Sequence, residues 1–345
     1  MILVTGGTGL VGSHLLFDLS GSGENIRAIY RSKKSLEAVK KVFSYYTPQE
    51  EALSRFNSIE WIEADITNVP ALKKAFLDVD RVYHCAALIS FDDAKDTALR
   101  KTNIEGTANV VNFCIKEKVQ KLCFVSSVAT LDQKPGEKVI TEESHWNKEL
   151  DHNMYAITKY GAEMEVWRAS QEGIPVVIVN PGVIIGPGFW DSGSGLIFKR
   201  LANGLKYYFT KTTGFVGVDD VVKACVKLMA SPIKNEQFIV VSENISFKHL
   251  FELVAKSLQK PAPSKKLKPW MIYIFWIYQE IASFFFGKEK QVTGKSASSL
   301  FETTIYSGEK LSRELNFTYT PMKEVIEKTG EFFKKDITDP KNLDS

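Results

Sequence analysis

The chain has 345 residues, 44% of them hydrophobic and 25% charged, and its 44 Lys+Arg against 41 Asp+Glu leave a formal charge of +3. That length accommodates a large core and one to three domains, while so small a charge without a dense Lys/Arg block argues against a nucleic-acid surface. Cys85, Cys114, Cys123 and Cys225 fall outside any CxxC spacing and the five histidines form no paired motif, which predicts free thiols in a reducing, cytoplasmic setting and no protein-ligated metal.

In chain order, short β-rich runs alternate with helical patterns, the signature of a parallel sheet covered by helices. The first strand is expected at residues 2–5, directly after Met1, which predicts no leader segment. A helix over 10–19 and a strand over 25–30 follow, then a single charged helical stretch over 35–56. Next come a strand at 60–63, a short helix at 70–77, a strand at 81–85, a long helix at 97–118 and a fifth strand at 121–126. Residues 155–172 are helical, with Gly173 as the stop, and 175–179 form a sixth strand. A helix over 219–230 and a short strand over 237–241 complete the core. Two terminal helical stretches are expected at 308–315 and 322–333, with a frayed polar tail from Asp336. The fold class is therefore α/β: a Rossmann-type doubly wound parallel sheet with a smaller, mostly helical C-terminal region. Residues 1–180, with parts of 215–245, form the dinucleotide-binding and catalytic core. Residues 181–214 and 242–335 form the substrate-binding region, and 336–345 the tail.

Residues 270–286 carry an aromatic run from Trp270 to Tyr278 and a second at 284–286, interrupted by Gln279 and Glu280. The run is shorter than the about 20 apolar residues of a bilayer span. It reads as a pocket wall or lid, a dimer face, or a patch lying on a membrane surface.

Gly6, Gly7, Thr8, Gly9, Leu10, Val11 and Gly12 follow the first strand and open a helix. Glycines there permit a tight turn and close approach of a pyrophosphate, whose charge meets free N–H groups of Leu10, Val11 and Gly12 at the helix start. The second strand ends in Tyr30-Arg31-Ser32, with no carboxylate before Glu37. Arg31 can clamp a 2′-phosphate with a charge-assisted fork, so NADP(H) is favoured, with NAD(H) as the alternative. Asp65, after the third strand, is placed to accept from the adenine amino group, with Ile66 packing beside the ring.

Tyr155 and Lys159 are four residues apart and share one helical face, after Ser126-Ser127 at the end of a strand. Carbonyl reduction needs hydride at carbon and a proton at oxygen. A phenol near pKa 10 is a poor acid–base group until a cation stabilises its phenolate. Lys159 supplies that charge and can hydrogen-bond the nicotinamide ribose, while Ser127 orients the substrate oxygen toward Tyr155.

These pieces resemble the extended short-chain dehydrogenases/reductases of the NAD-dependent epimerase/dehydratase superfamily, nearest to the dihydroflavonol-4-reductase-like and 3-beta-hydroxysteroid dehydrogenase-like branch. The matching residues are Thr5 to Gly12, Asp65-Ile66, His84 to Ala87, Asn103 to Val110, Phe124 to Ser127, Tyr155 with Lys159, Asn180 to Val183 with Gly186-Pro187-Gly188, and Phe215 to Val221. The resemblance implies Tyr155 as general acid/base, Lys159 as its partner, Ser127 as the active-site serine and Asn103 as a residue steadying backbone behind the cofactor. It places Ala86 and Ala87 by the nicotinamide-side ribose, Pro181 to Val183 by the carboxamide, and Arg31 on the 2′-phosphate. It also implies a homodimer through the helices at 97–118 and 155–172.

Val128-Ala129 follow Ser127 where nucleotide-sugar dehydratases carry an Asp-Glu pair, which removes 4,6-dehydratase chemistry. The leading reading is an NADPH-preferring carbonyl reductase or alcohol dehydrogenase acting on a small-molecule ketone or aldehyde. Its alternatives are a nucleotide-sugar epimerase, a 3-beta-hydroxysteroid or sterol dehydrogenase, and a non-enzymatic NADP-binding regulator. Ser90, Phe91, Phe189, Trp190, Leu196 and residues 206–209 are the expected substrate wall.

Overall fold

The computed structural model describes residues 1–90, 92–268, 270–271 and 301–338. Seven parallel strands form the central sheet: β1 (Ile2–Thr5), β2 (Ile26–Tyr30), β3 (Glu60–Glu63), β4 (Arg81–His84), β5 (Lys121–Val125), β7 (Val176–Pro181) and β11 (Glu236–Val240). Between and beyond them lie the shorter β6 (Val139–Ile140), β8 (Val183–Ile185), β9 (Tyr207–Tyr208), β10 (Thr212–Gly217), β12 (Glu243–Ser246), β13 (Lys265–Lys266) and β14 (Ile305–Tyr306). The helices are α1 (Leu10–Ser20), α2 (Ser35–Phe43), α3 (Gln49–Asn57), α4 (Val69–Ala75), α5 (Asp96–Leu99), α6 (Gly106–Lys116), α7 (Met154–Gln171), α8 (Gly195–Ala202), α9 (Val218–Ala230) and α10 (Phe247–Ser257). Two more, α11 (Glu309–Leu315) and α12 (Met322–Thr338), follow β14.

The sheet order is β11-β7-β5-β4-β1-β2-β3. The chain winds outward from β1 through β2 and β3, then returns to the other side of β1 as β4. A parallel sheet buried on both faces needs near-continuous apolar strands, and β1, β5 and β7 are buried along their whole length. Alternate residues serve opposite faces. Ile2, Val4, Cys123, Val125, Val177 and Val179 pack with α1, α2, α3 and α9, whereas Leu3, Leu122, Phe124, Val176 and Ile178 pack with α4, α6 and α7. Register aligns Thr5 with His84 and Val125 with Val179. The carboxyl ends of β1, β4, β5 and β7 therefore open onto one crevice, at the point where strand order reverses.

The stretch expected as one helix over 35–56 is two helices. Pro48 ends the first pattern and caps α3 with an extended backbone, because its ring clashes with a continuing helix. The intervening turn sends Tyr46 onto Phe17, stacked at 4.9 Å, and Tyr45 onto Phe332 of α12. The helix expected over 97–118 begins at Asp96 and contains a wide π turn, Arg100–Glu105, between α5 and α6.

The smaller C-terminal region is mostly helical, with its own apolar cluster of Phe198, Phe215, Phe251, Val254, Met322 and Phe333. It also carries a three-stranded sheet, β12-β10-β8, which the sequence pattern did not reveal. Gly214 in mid-strand masks β10, yet a Cβ there would stand 2.7 Å from Val241, so close packing requires glycine. The aromatic segment at 270–286 lies outside the described residues apart from Met271 and Trp270, whose side chain is 60% exposed. Among the described residues no helix is long and apolar enough to cross a membrane.

The fraying expected from Asp336 does not occur at that residue. Asp336 is buried within α12 and accepts from Tyr45 Oη and from Trp190 Nε1 at 2.8 Å, with Lys41 Nζ at 2.9 Å. One carboxylate thus joins α2, the turn after it, the 189–190 loop and α12. Asp336→Ala would strand the part-buried Tyr45 and Trp190 donors and release Lys41, and is expected to lower unfolding free energy by about 1–2 kcal/mol. Urea unfolding at pH 7 checks this; an unchanged midpoint would mean the carboxylate is solvated.

Candidate active site

The turn after β1 is built by steric exclusion. Gly6 has φ +68°, and a Cβ on it would lie 2.5 Å from the Ala86 nitrogen. A Cβ on Gly12 would meet Gly6 O at 2.2 Å. At Gly9 the nearest such contact is Gly6 O at 3.5 Å, which leaves that side open. Gly9 also caps α1 without offering a side chain to its first amides. An open glycine beside uncapped amide donors suits a pyrophosphate, so these residues fit a dinucleotide.

The adjoining cavity, about 160 Å³, brings together Gly6, Thr8, Gly9, Arg31, Asp65, Ile66, Ala86 and Ala87, all singled out from sequence. Cys85 and Thr102 line it as well. Arg31 stands at the rim, its side chain 67% exposed and its Nη1 4.0 Å from Asp65 Oδ2. Asp65 Oδ1 accepts from Thr67 N and Oγ1 at 2.8 and 2.7 Å. Ile66 is buried against Gly106, where a Cβ would lie 2.6 Å from it. Leu10, Val11, Gly12, Pro181 and Val183 do not line this cavity. Leu10 opens α1, Val11 packs against the core, Gly12 braces the turn, Pro181 closes β7, and Val183 opens β8 against the C-terminal cluster.

Ser127 and Tyr155 meet. Ser127 caps a single 3-10 turn, Val128–Thr130, with its Oγ accepting from Ala129 N at 3.2 Å. Asn153 caps α7 through Ala156 N at 2.9 Å, which sets Tyr155 in the first turn facing the serine. Burial pushes the half-buried Tyr155 phenol up, and its hydrogen bond with Ser127 pulls in the opposite direction. Lys159, one turn on, is 2% exposed. Its Nζ donates to Val125 O at 2.8 Å and lies 4.3 Å over the Phe124 ring. Burial brings its ammonium down to about 8, with Glu163 the chief opposing influence.

Asn103 stands in the π turn, 1% exposed, and grips the loop after β4. Its Oδ1 accepts from Leu88 N at 2.7 Å, and its Nδ2 donates to Leu88 O and Thr158 Oγ1, both at 3.0 Å. It thus couples that loop to the residue beside Lys159.

Three polar groups were given no role from the sequence, although His84 and Asn180 fall in segments that carry the family resemblance. His84 contacts Thr5 Oγ1 at 2.6 Å and Thr107 Oγ1 at 2.9 Å, and stacks on Phe124. Burial and Lys159 hold its pKa down to about 3, so the ring is neutral. Glu163 and Asn180 lie beneath Ser126-Ser127. On the far side, Asp132 holds His152 Nε2 at 3.0 Å and Asn147 N at 2.6 Å, while Trp146 stacks on His152 and Tyr160. These contacts fix the segment between β5 and α7. Among the described residues no group of His, Cys, Asp or Glu could hold a metal ion.

The sequence profile of the NAD dependent epimerase/dehydratase family matches residues 2–241. Tetraketide alpha-pyrone reductase 2 of Arabidopsis thaliana is 29% identical over 266 residues, covering 73% of this chain and 81% of that protein. A putative dihydroflavonol 4-reductase of Synechocystis is 25% identical over 341 residues, covering 96% and 94%. The solved UDP-glucose 4-epimerase of Thermotoga maritima, with UDP-glucose, superposes with a TM-score of 0.76 at 20% identity, covering 97% and 99%.

Lys159 releases its proton at about 8 when folded, against 10.5 for an ordinary lysine. The folded chain binds that proton more weakly than the unfolded one. The penalty of burying the ammonium is therefore full below pH 8 and relieved as pH climbs to 10.5. At about 1.4 kcal/mol per unit, Lys159→Met should be relatively more stable at pH 7 than at pH 10.5 by roughly 3 kcal/mol. Denaturant titrations of both proteins at the two pH values measure this; an equal difference at both would place the ammonium in solvent.

Proposed function

The chain belongs to the NAD dependent epimerase/dehydratase family, and we propose that it exchanges hydride with a secondary-alcohol or carbonyl carbon, Tyr155 acting as general acid/base. The observation that carries this reading is the Ser127–Tyr155 hydrogen bond at the mouth of the crevice, one helical turn from the buried Lys159 ammonium. The dinucleotide, when bound, supplies or takes up the hydride. Ser127 holds the substrate oxygen in line with the phenol, which gives or takes the proton at that oxygen. Lys159, charged below pH about 8, favours the phenolate against the burial that opposes it. Asn103 keeps the loop bearing Ala86 and Ala87 in place, so dinucleotide and phenol face the same carbon.

Two outcomes share this step. Net reduction of a ketone or aldehyde is supported by the two reductase relatives, which cover most of the chain. Nucleotide-sugar epimerisation, in which the same step runs forward and back with the dinucleotide retained, has broader support. The family profile and a solved epimerase matching 97% of the chain both favour it. Arg31, exposed at the rim with a free approach, supports NADP(H) as the dinucleotide.

NADPH oxidation by aryl and aliphatic ketones, and interconversion of UDP-glucose with its 4-epimer, measured side by side, separate the two outcomes. Tyr155→Phe should lower either by about a thousandfold with nearly unchanged dinucleotide affinity; retained turnover would remove Tyr155 from the chemistry. Arg31→Ala should weaken NADPH binding by about 10- to 100-fold and leave NADH binding nearly unchanged. Equal losses by fluorescence titration would show that Arg31 does not read the phosphate.

A further inference from the structure

Glu163 lies on α7 one turn beyond Lys159, on the same face, and is 3% exposed. A carboxylate so buried needs donors and a cation. Ser126 Oγ donates to its Oε2 at 2.6 Å and Asn180 Nδ2 at 3.2 Å, and Thr130 is hydrogen-bonded to it as well. These partners come from three places: the end of β5 beside Ser127, the 3-10 turn, and the end of β7 beside Pro181. Asn180 Nδ2 also reaches Ser127 O at 3.2 Å and Thr130 Oγ1 at 3.1 Å. The carboxylate therefore gathers the serine segment and the 181–183 loop behind the ammonium.

We propose that Glu163 is a positioning residue: it is the buried counter-charge that keeps Lys159 an ammonium, and it holds the Ser127 segment through Ser126, Thr130 and Asn180. The counter-charge rests on the burial of both groups one turn apart on one face of α7; its bearing on turnover rests on the hydride-transfer reading. The titratable groups that interact with Lys159 are Glu163 on α7 and His84 and Cys85 at the end of β4, with Tyr155 one turn back on α7. His84 is neutral above pH about 3, the Cys85 thiol is pushed up by burial, and the Tyr155 phenol is raised. Among them Glu163 is thus the acid that can supply the negative charge. Burial raises its own pKa, while Ser126, Thr130, Lys159 and Asn180 oppose that rise.

Glu163→Gln removes the charge at nearly constant shape. The amide oxygen of the new glutamine can take the place of Oε2 and keep accepting from Ser126 Oγ and Asn180 Nδ2. Ser126→Ala removes one hydrogen bond and keeps the charge. The Lys159 side chain, followed by carbon NMR in lysine-labelled protein and assigned with Lys159→Arg, should titrate about one pH unit lower in Glu163→Gln. In Ser126→Ala it should stay near the native midpoint. The alkaline limb of kcat/KM should move down with the NMR midpoint. An unmoved Lys159 midpoint in Glu163→Gln would overturn the proposal. So would a Glu163 carboxyl found protonated at pH 7 by its own carbon signal in the native chain, a measurement that needs no variant. If no substrate turns over but the midpoint falls, the counter-charge stands and the hydride-transfer reading is what fails.

Discussion

A positive charge with almost no access to water is the hardest thing this fold has to accommodate, and much of its polar interior is arranged around the Lys159 ammonium. The Val125 carbonyl at the end of β5 receives its proton, the Phe124 face lies under it, and Glu163 opposes its charge from the next helical turn. The other face of the problem is His84, stacked on the same phenylalanine and kept neutral between two threonine hydroxyls. A second cation there would face the first across one aromatic ring. The register that sets Thr5 beside His84 and Val125 beside Val179 makes this possible, since it brings four strand ends level with one another.

The same alignment explains why the crevice was legible from the chain alone. A glycine turn after a strand, a serine at a strand end and a tyrosine–lysine pair on a helix each have a local signature. The sheet brings these signatures to one edge. Gly6 and Gly12 declare themselves because any Cβ would strike backbone. What stayed hidden was relational. The hydrogen-bond partners of Glu163, Asn180 and His84 lie 17 to 79 residues away in sequence, and no local spacing encodes such a partner. The break at residues 44–48 was missed for a different reason: helical periodicity resumes in α3, so Pro48 had to outweigh the pattern on either side of it. The small β12-β10-β8 sheet was obscured by strands of only three to six residues, with glycine inside β10.

The C-terminal region is tied to the dinucleotide half by the short β14–β6 pairing and by side chains. Asp336 joins Lys41, Tyr45 and Trp190, while Asp219 joins Tyr46 at 3.1 Å and Lys328 at 2.7 Å. Both sets converge on the tyrosine pair in the turn between α2 and α3. A segment that reads as a break in a helix is thus where the two regions are joined. Aromatic surface there is shared among Phe17, Phe332, Tyr45 and Tyr46, which lets polar tips reach across while ring faces exclude water.

The wide turn at Arg100–Glu105 sets angular phase. A regular helix advances roughly 100° per residue, and the π turn holds one residue more than the same arc of α-helix, so deleting one residue from the regular winding beside it would swing the start of α6 by about that angle. Gly106 would leave its contact with Ile66, Thr107 its bond to His84, and Asn103 its grip on Leu88. The floor of the crevice and the loop beside it would be lost together, although the deletion touches neither. Length at this point of the chain is therefore under tighter control than side-chain identity at its exposed positions, Arg100, Lys101 and Glu105.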